Sequence, residues 1–205
     1  GISVASAGDV NGDGYSDVIV GAYQYDNGQT NEGAAFVYHG SATGISTAVA
    51  AMVKSNQASA YMGFSVASAG DVNGDGYSDV IVGANYYDNG QIDEGAAFVY
   101  HGSATGINTT VAATVECNQA NAYMGYSVAG AGDVNGDGYS DVIVAAYTYD
   151  NGQIDEGAAF VYHGSASGIS TTAAAMVESN QVSAQMGISV ATAGDVNGDG
   201  YSDVI

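Results

Sequence analysis

Bulky and small residues alternate through FSVASAG (64–70), a pattern that places one set of side chains on each face of a strand. The next apolar run, DVIVGA (79–84), is short and β-branched and predicts a second strand. AAFVYHG (96–102) predicts a third and VAATVEC (111–117) a fourth, with a helix over TTVAATVE (109–116) as the alternative for the last. Glycine-rich segments punctuate every junction, which leaves no room for helices of useful length. One of them, YYDNGQIDEG (86–95), carries Asn-Gly, a strong short-hairpin signal. In the third strand both faces are apolar, with Ala96, Phe98 and Tyr100 on one and Ala97 and Val99 on the other. Such a sheet needs cover on both sides.

The cover is written into the period. GDVNGDGYSD occurs at 8–17, 70–79, 132–141 and 194–203 without change, so Asp9, Asp71, Asp133 and Asp195 fall 62 residues apart each time. EGAAFVYHGSATGIS (32–46) also returns nearly intact at 94–108 and 156–170. Self-similarity at a fixed period marks stacked supersecondary units, each burying its faces on its neighbours. The expected organisation is all-β: tandem four-stranded antiparallel blades of β-propeller type at 1–62, 63–124 and 125–186, with a partial fourth at 187–205. Three units and a part do not close a ring. The chain is therefore expected to be a segment of a longer repeat array, as its start at Gly1 without an initiator Met and its stop inside SDVI also suggest.

Charge narrows the class of partner. The net charge is −21, and Lys54 is the sole basic residue. No cationic patch exists to meet phosphates, so nucleic acid is excluded and an anionic membrane surface is disfavoured. An apolar fraction of 46% with 16 Tyr argues for a folded acidic chain over a disordered one. No signal peptide, long apolar span or lipidation motif occurs, and membrane insertion is not expected. Cys117 stands alone where the neighbouring units have Ser55 and Ser179, which suits a small buried residue rather than a reactive one.

The four identical segments hold twelve of the 22 acidic residues, in a pattern with its own chemistry. Positions 1, 3, 5 and 9 are Asp9, Asn11, Asp13 and Asp17 in the first copy and Asp71, Asn73, Asp75 and Asp79 in the second. They are Asp133, Asn135, Asp137 and Asp141 in the third, and Asp195, Asn197, Asp199 and Asp203 in the fourth. Alternate residues of a tight turn converge, and the backbone carbonyls of Tyr15, Tyr77, Tyr139 and Tyr201 at position 7 complete each set. A glycine at position 6, Gly76 in the second copy, permits the positive φ such a turn needs. Oxygen-only donors, mostly carboxylate, select a hard cation of calcium's size over zinc. Two carboxylates about 4 Å apart repel by about 4 kcal/mol at an effective dielectric of 20, so three in one turn call for a cation.

These loops resemble FG-GAP repeats, the blades of integrin α-subunit propellers and of bacterial surface proteins. An EF-hand would need Glu at position 12, where Val20, Val82 and Val144 stand, and a dockerin would continue into a helix where DVIVGA is strand-like. The Phe-Gly element is replaced by Met62-Gly63, Met124-Gly125 and Met186-Gly187, and the Gly-Ala-Pro element by Gly21-Ala22-Tyr23, Gly83-Ala84-Asn85 and Ala145-Ala146-Tyr147. The acidic loop itself is intact. The resemblance implies Ca2+ bound between two strands of each blade, an extracellular or cell-surface location and no catalysis. Near-uniform repeats lead the expectation toward a calcium-stiffened structural module of a surface protein or self-assembling fibre, associating with identical repeats. The alternative is an integrin-like adhesion module that binds a protein or glycan ligand.

Other polar residues have plainer readings. His39, His101 and His163 share one repeat position and orient strand ends. Asp88, Asp93 and Glu94, with Asp150, Asp155 and Glu156, flank the Asn-Gly turn as a solvated loop, a second weaker cation site being the alternative. No nucleophile elbow or Ser-His-Asp order is present. Asn108-Thr109-Thr110 is an N-glycosylation sequon.

Overall fold

A computed structural model describes residues 1–205 as fourteen strands without a helix. The first sheet comprises β1 (Ser3–Gly8), β2 (Asp17–Ala22), β3 (Ala34–Tyr38) and β4 (Ala51–Lys54). The second comprises β5 (Ser65–Gly70), β6 (Asp79–Ala84), β7 (Ala96–Tyr100) and β8 (Ala113–Glu116). The third comprises β9 (Ser127–Gly132), β10 (Asp141–Ala146), β11 (Ala158–Tyr162) and β12 (Ala175–Glu178), and β13 (Thr192–Gly194) pairs with β14 (Asp203–Val204). Every sheet is antiparallel with its strands in chain order, as expected of propeller blades. The register repeats: Val18 faces Tyr38, Val80 faces Tyr100 and Val142 faces Tyr162.

Successive sheets meet through their first strands, which lie side by side in the order β1, β5, β9, β13. Hydrogen bonds tie this hub together. The Val66 N–H donates to Ser3 Oγ (3.0 Å), that of Val128 to Ser65 Oγ (3.1 Å) and that of Val190 to Ser127 Oγ (3.1 Å).

The two-residue alternation of a strand explains the core. Ile19, Ala35 and Val37 project from the first sheet onto Val80, Val82, Phe98 and Tyr100 of the second. The opposite face of the second, with Ile81, Ala97 and Val99, packs on Val142, Val144, Phe160 and Tyr162 of the third. β6, β7, β10 and β11 are consequently buried along their whole length. The segment after each fourth strand crosses to the next sheet and lays Met62 beside Gly33 and Met124 beside Gly95 in single parallel bridges. Gly95 has φ +72°, and a Cβ there would lie 2.2 Å from the Met124 carbonyl oxygen, so no other residue fits without displacing the crossing.

Two local expectations need correction. The Asn-Gly pair does not form a two-residue hairpin: β6 ends at Ala84 and β7 begins at Ala96, so the connection is a wide loop. Glu94 takes the amides of Asn89 (2.5 Å) and Gln91 (3.2 Å) on Oε1 and folds that loop around its own carboxylate. Glu94 is fully buried, which also corrects its reading as part of a solvated loop. The last strand is β8, as favoured, and the helical alternative is absent.

Met124 is fully buried whereas Met186, at the same repeat position, is 37% exposed. Met124→Ala is expected to cost about 2–5 kcal/mol in urea unfolding through the cavity it leaves. Met186→Ala is expected to cost under about 1 kcal/mol.

Candidate metal centre

Antiparallel order puts the four aspartate-rich loops on one rim, each joining the first two strands of its sheet, and the Asn-Gly loops on the other. Within the first loop, Asp9 Oδ1 accepts from the N–H groups of Gly12 (2.7 Å) and Asp13 (3.1 Å), and Oδ2 from Gly14 (2.8 Å). Asn11 Oδ1 accepts from the Asp13 N–H (3.1 Å) while its Nδ2 donates to Asp13 Oδ2 (3.0 Å). Asp13 Oδ1 accepts from the Tyr15 N–H (3.0 Å). The pattern recurs at Asp71, Asn73 and Asp75, at Asp133, Asn135 and Asp137, and, but for the Asn side-chain donor bond, at Asp195, Asn197 and Asp199. Position 6 does turn through positive φ, +90° at Gly76.

The position-9 aspartates play a different part. Asp17 Oδ2 accepts from the Val10 N–H (2.8 Å) and Oδ1 from the Gly40 N–H (2.7 Å) at the end of β3. Asp79 clamps Val72 (2.9 Å) and Gly102 (2.8 Å), and Asp141 clamps Val134 (2.8 Å) and Gly164 (2.8 Å). All three are buried. Asp203 closes the final loop on the Val196 N–H (2.9 Å). Each buried carboxylate therefore satisfies two backbone donors and ties the loop to the third strand of its sheet.

The loops are also coupled to one another. The Ser78 N–H donates to the Asp9 carbonyl (2.9 Å), Ser140 to Asp71 (3.0 Å) and Ser202 to Asp133 (2.9 Å). The rings of Tyr77, Tyr139 and Tyr201 lie against Gly12, Gly74 and Gly136 of the preceding loop. Tyr15, in the first loop, and Tyr201, in the last, are both exposed.

Burial, reinforced by the nearby Asp75 and Asp71, pushes the Asp79 carboxyl up to about 7 against the opposing pull of its two N–H donors. Burial likewise raises Asp141. On the surface, backbone donors hold Asp137 and Asp195 below the ordinary carboxylate range. Three carboxylates and one amide oxygen per loop, without nitrogen or sulfur donors, fit a hard cation by donor chemistry. In this structure those side chains are turned onto the loop's own amides, and no group of three or more His, Cys, Asp or Glu side chains converges on one point. Asp9 Oδ1 uses both lone pairs on two N–H groups, whereas Asp9 Oδ2 and Asp13 Oδ1, with one N–H each, keep a lone pair for a cation.

His39 and His101 sit against Gly106 and Gly168 of the following sheet, with Nε2 buried and unpartnered. Cys117 is half-buried with its thiol pushed up to about 11 by burial, which leaves little thiolate. Its Sγ faces the Glu94 carbonyl at 3.8 Å, where Ser55 and Ser179 make hydroxyl bonds to Glu32 (2.8 Å) and Glu156 (3.1 Å). The burial of Glu32, Glu94 and Glu156 was not legible, since charge alone reads as surface; Glu94 and Glu156 read only as members of a solvated loop or a weaker cation site.

The FG-GAP repeat family matches residues 1–38 and 62–100, and the FG-GAP-like repeat matches 133–205. The chain belongs to the FG-GAP repeat family. It is 36% identical over 138 residues to integrin alpha-6 of Homo sapiens, covering 67% of this chain and 12% of that protein. It is 36% identical over 171 residues to integrin alpha pat-2 of Caenorhabditis elegans (75% of this chain, 14% of the relative) and 34% over 159 residues to integrin alpha-V of Gallus gallus (73% and 15%). The chain thus spans a small fraction of the length of these integrin relatives.

Because folding raises the Asp79 and Asp141 carboxyls, the folded chain holds their protons more tightly than the unfolded one. The Asp79 contribution is fully present below about pH 4 and is lost as pH rises through about 7. In chelator, Asp79→Asn is expected to flatten the fall in melting temperature between pH 4 and 7; an unchanged slope would count against this assignment.

Proposed function

We propose that this chain is a non-catalytic, extracellular module of integrin type, whose blades are braced by calcium and present one free rim for adhesion. The supporting observation is the loop-to-loop coupling: each aspartate-rich turn is bonded to the next through Ser78, Ser140 and Ser202, so an ion held in one turn stiffens a junction between sheets. The proposed repeat units are 1–62, 63–124 and 125–186, with 187–205 as the start of another. The proposed ligands of each Ca2+ are the oxygens of positions 1, 3, 5, 7 and 9, which makes the buried Asp17, Asp79, Asp141 and Asp203 both clamps and ligands. When bound, calcium neutralises carboxylates that otherwise repel. The partner on the opposite rim is a protein or glycan, by analogy with the integrin relatives. No helix is long and apolar enough to cross a membrane.

A structural array is the second reading, favoured by the two end faces. Val4 is 69% exposed whereas its equivalents Val66 and Val128 are 5% exposed, and Val196 is 70% exposed whereas Val10 and Val72 are fully covered. The front of the first sheet and the back of the last thus carry the two halves of an interface that the interior uses twice. Association of copies head to tail, or continuation with identical repeats, buries both.

At extracellular-type affinities and about millimolar calcium, four loops add about 2–6 kcal/mol. Chelation is therefore expected to lower the melting temperature by roughly 4 °C or more, read by calorimetry. An unmoved transition overturns the calcium reading. Sedimentation velocity tests the head-to-tail association: Val4→Asp is expected to abolish its concentration dependence, and a wild-type chain monomeric at every concentration overturns that association.

A further inference from the structure

The rim opposite the aspartate-rich loops holds a charge imbalance that differs between sheets in one informative way. In the first sheet, Glu32 is fully buried, and its Oε1 accepts from the Asn27 N–H (2.6 Å). Its Oε2 faces the ammonium of Lys54 at 3.4 Å, and the same ammonium donates to the Asn27 carbonyl. The position equivalent to Lys54 is Glu116 in the second sheet and Glu178 in the third. There the buried Glu94 and Glu156 keep their Oε1 bonds to the loop amides, but Oε2 of each is buried with no partner. These are the oxygens that the ammonium occupies in the first sheet. Beside them, Glu116 Oε2 accepts from Asn89 Nδ2 (2.6 Å) and Glu178 Oε2 from Asn151 Nδ2 (2.6 Å).

We propose that a calcium ion replaces the Lys54 ammonium in the second and third sheets, bound by Glu94, Glu116 and the Asn89 carbonyl in one and by Glu156, Glu178 and the Asn151 carbonyl in the other. The geometry is copied from Lys54, which already bridges the corresponding carboxylate and carbonyl. A buried carboxylate oxygen with neither counterion nor donor is costly, and the chain has no Arg and no second Lys to supply one. The cation must come from solvent. Oxygen-only donors select a hard ion, two carboxylates match a divalent charge, and a partly exposed Glu116 or Glu178 leaves room for water to complete the shell. These sites share no residue with the aspartate-rich loops.

The test rebuilds the first sheet's solution in the other two. The full chain and its Glu116→Lys/Glu178→Lys variant are compared for bound calcium by equilibrium dialysis at about millimolar calcium, and for melting in EDTA. The variant is expected to bind two fewer ions per chain and to melt higher in EDTA by about 2–4 °C or more. An equal calcium count in the two proteins overturns the proposal, whatever the melting temperature does. Vacant aspartate-rich loops would lower both counts alike and leave the difference intact, so the two calcium readings fail separately. Should circular dichroism show the double variant unfolded, Lys54→Glu decides: a gain of one ion is expected, and no gain overturns the proposal.

Discussion

A sheet that is apolar on both faces cannot stand in water on either, and the rest of this molecule follows from that constraint. β7 and β11 are buried from end to end because each lies between two neighbouring sheets. The hub of first strands brings the sheets together, and the crossing methionines lock each to the next. With glycines and alanines so common along these strands, backbone approaches backbone closely. Hydrogen bonds from one sheet to the next then add to the packing of Phe98, Tyr100, Phe160 and Tyr162 between the sheets.

Carboxylates supply the second half of that cohesion, in an unusual division of labour. The first two aspartates of each loop shape the turn locally, whereas the last one in the first three loops reaches across the sheet to an amide 23 residues away in sequence. A buried glutamate does the equivalent work on the opposite rim, folding the Asn-Gly loop around itself. Both rims are thus organised by anions that gather backbone N–H groups, in a chain nearly devoid of basic residues.

The fold was largely legible from alternation and period. DVIVGA became β6 residue for residue, and the double-sided apolarity of AAFVY correctly required cover on both faces. The Asn-Gly hairpin was misread because turn propensity is local, while the loop's shape is set by a side chain five residues on. The candidate loops were equally visible as sequence. The clamp role of Asp17, Asp79 and Asp141 was not, since its partners at Gly40, Gly102 and Gly164 depend on how β3, β7 and β11 end. Glu94 is visible as part of an acidic loop, but its burial was not legible, since nothing in a linear reading distinguishes a sequestered glutamate from a hydrated one.

The near-identity of the sheet junctions has a bearing on assembly. Ser3 meets Val66 as Ser65 meets Val128 and Ser127 meets Val190, so every junction uses the same hydrogen bond and that contact carries no address. At these serines a blade cannot tell which copy it adjoins. The size of any closed ring is then fixed by the angle between neighbours alone, and a few degrees of change in that angle separates a ring from an open spiral.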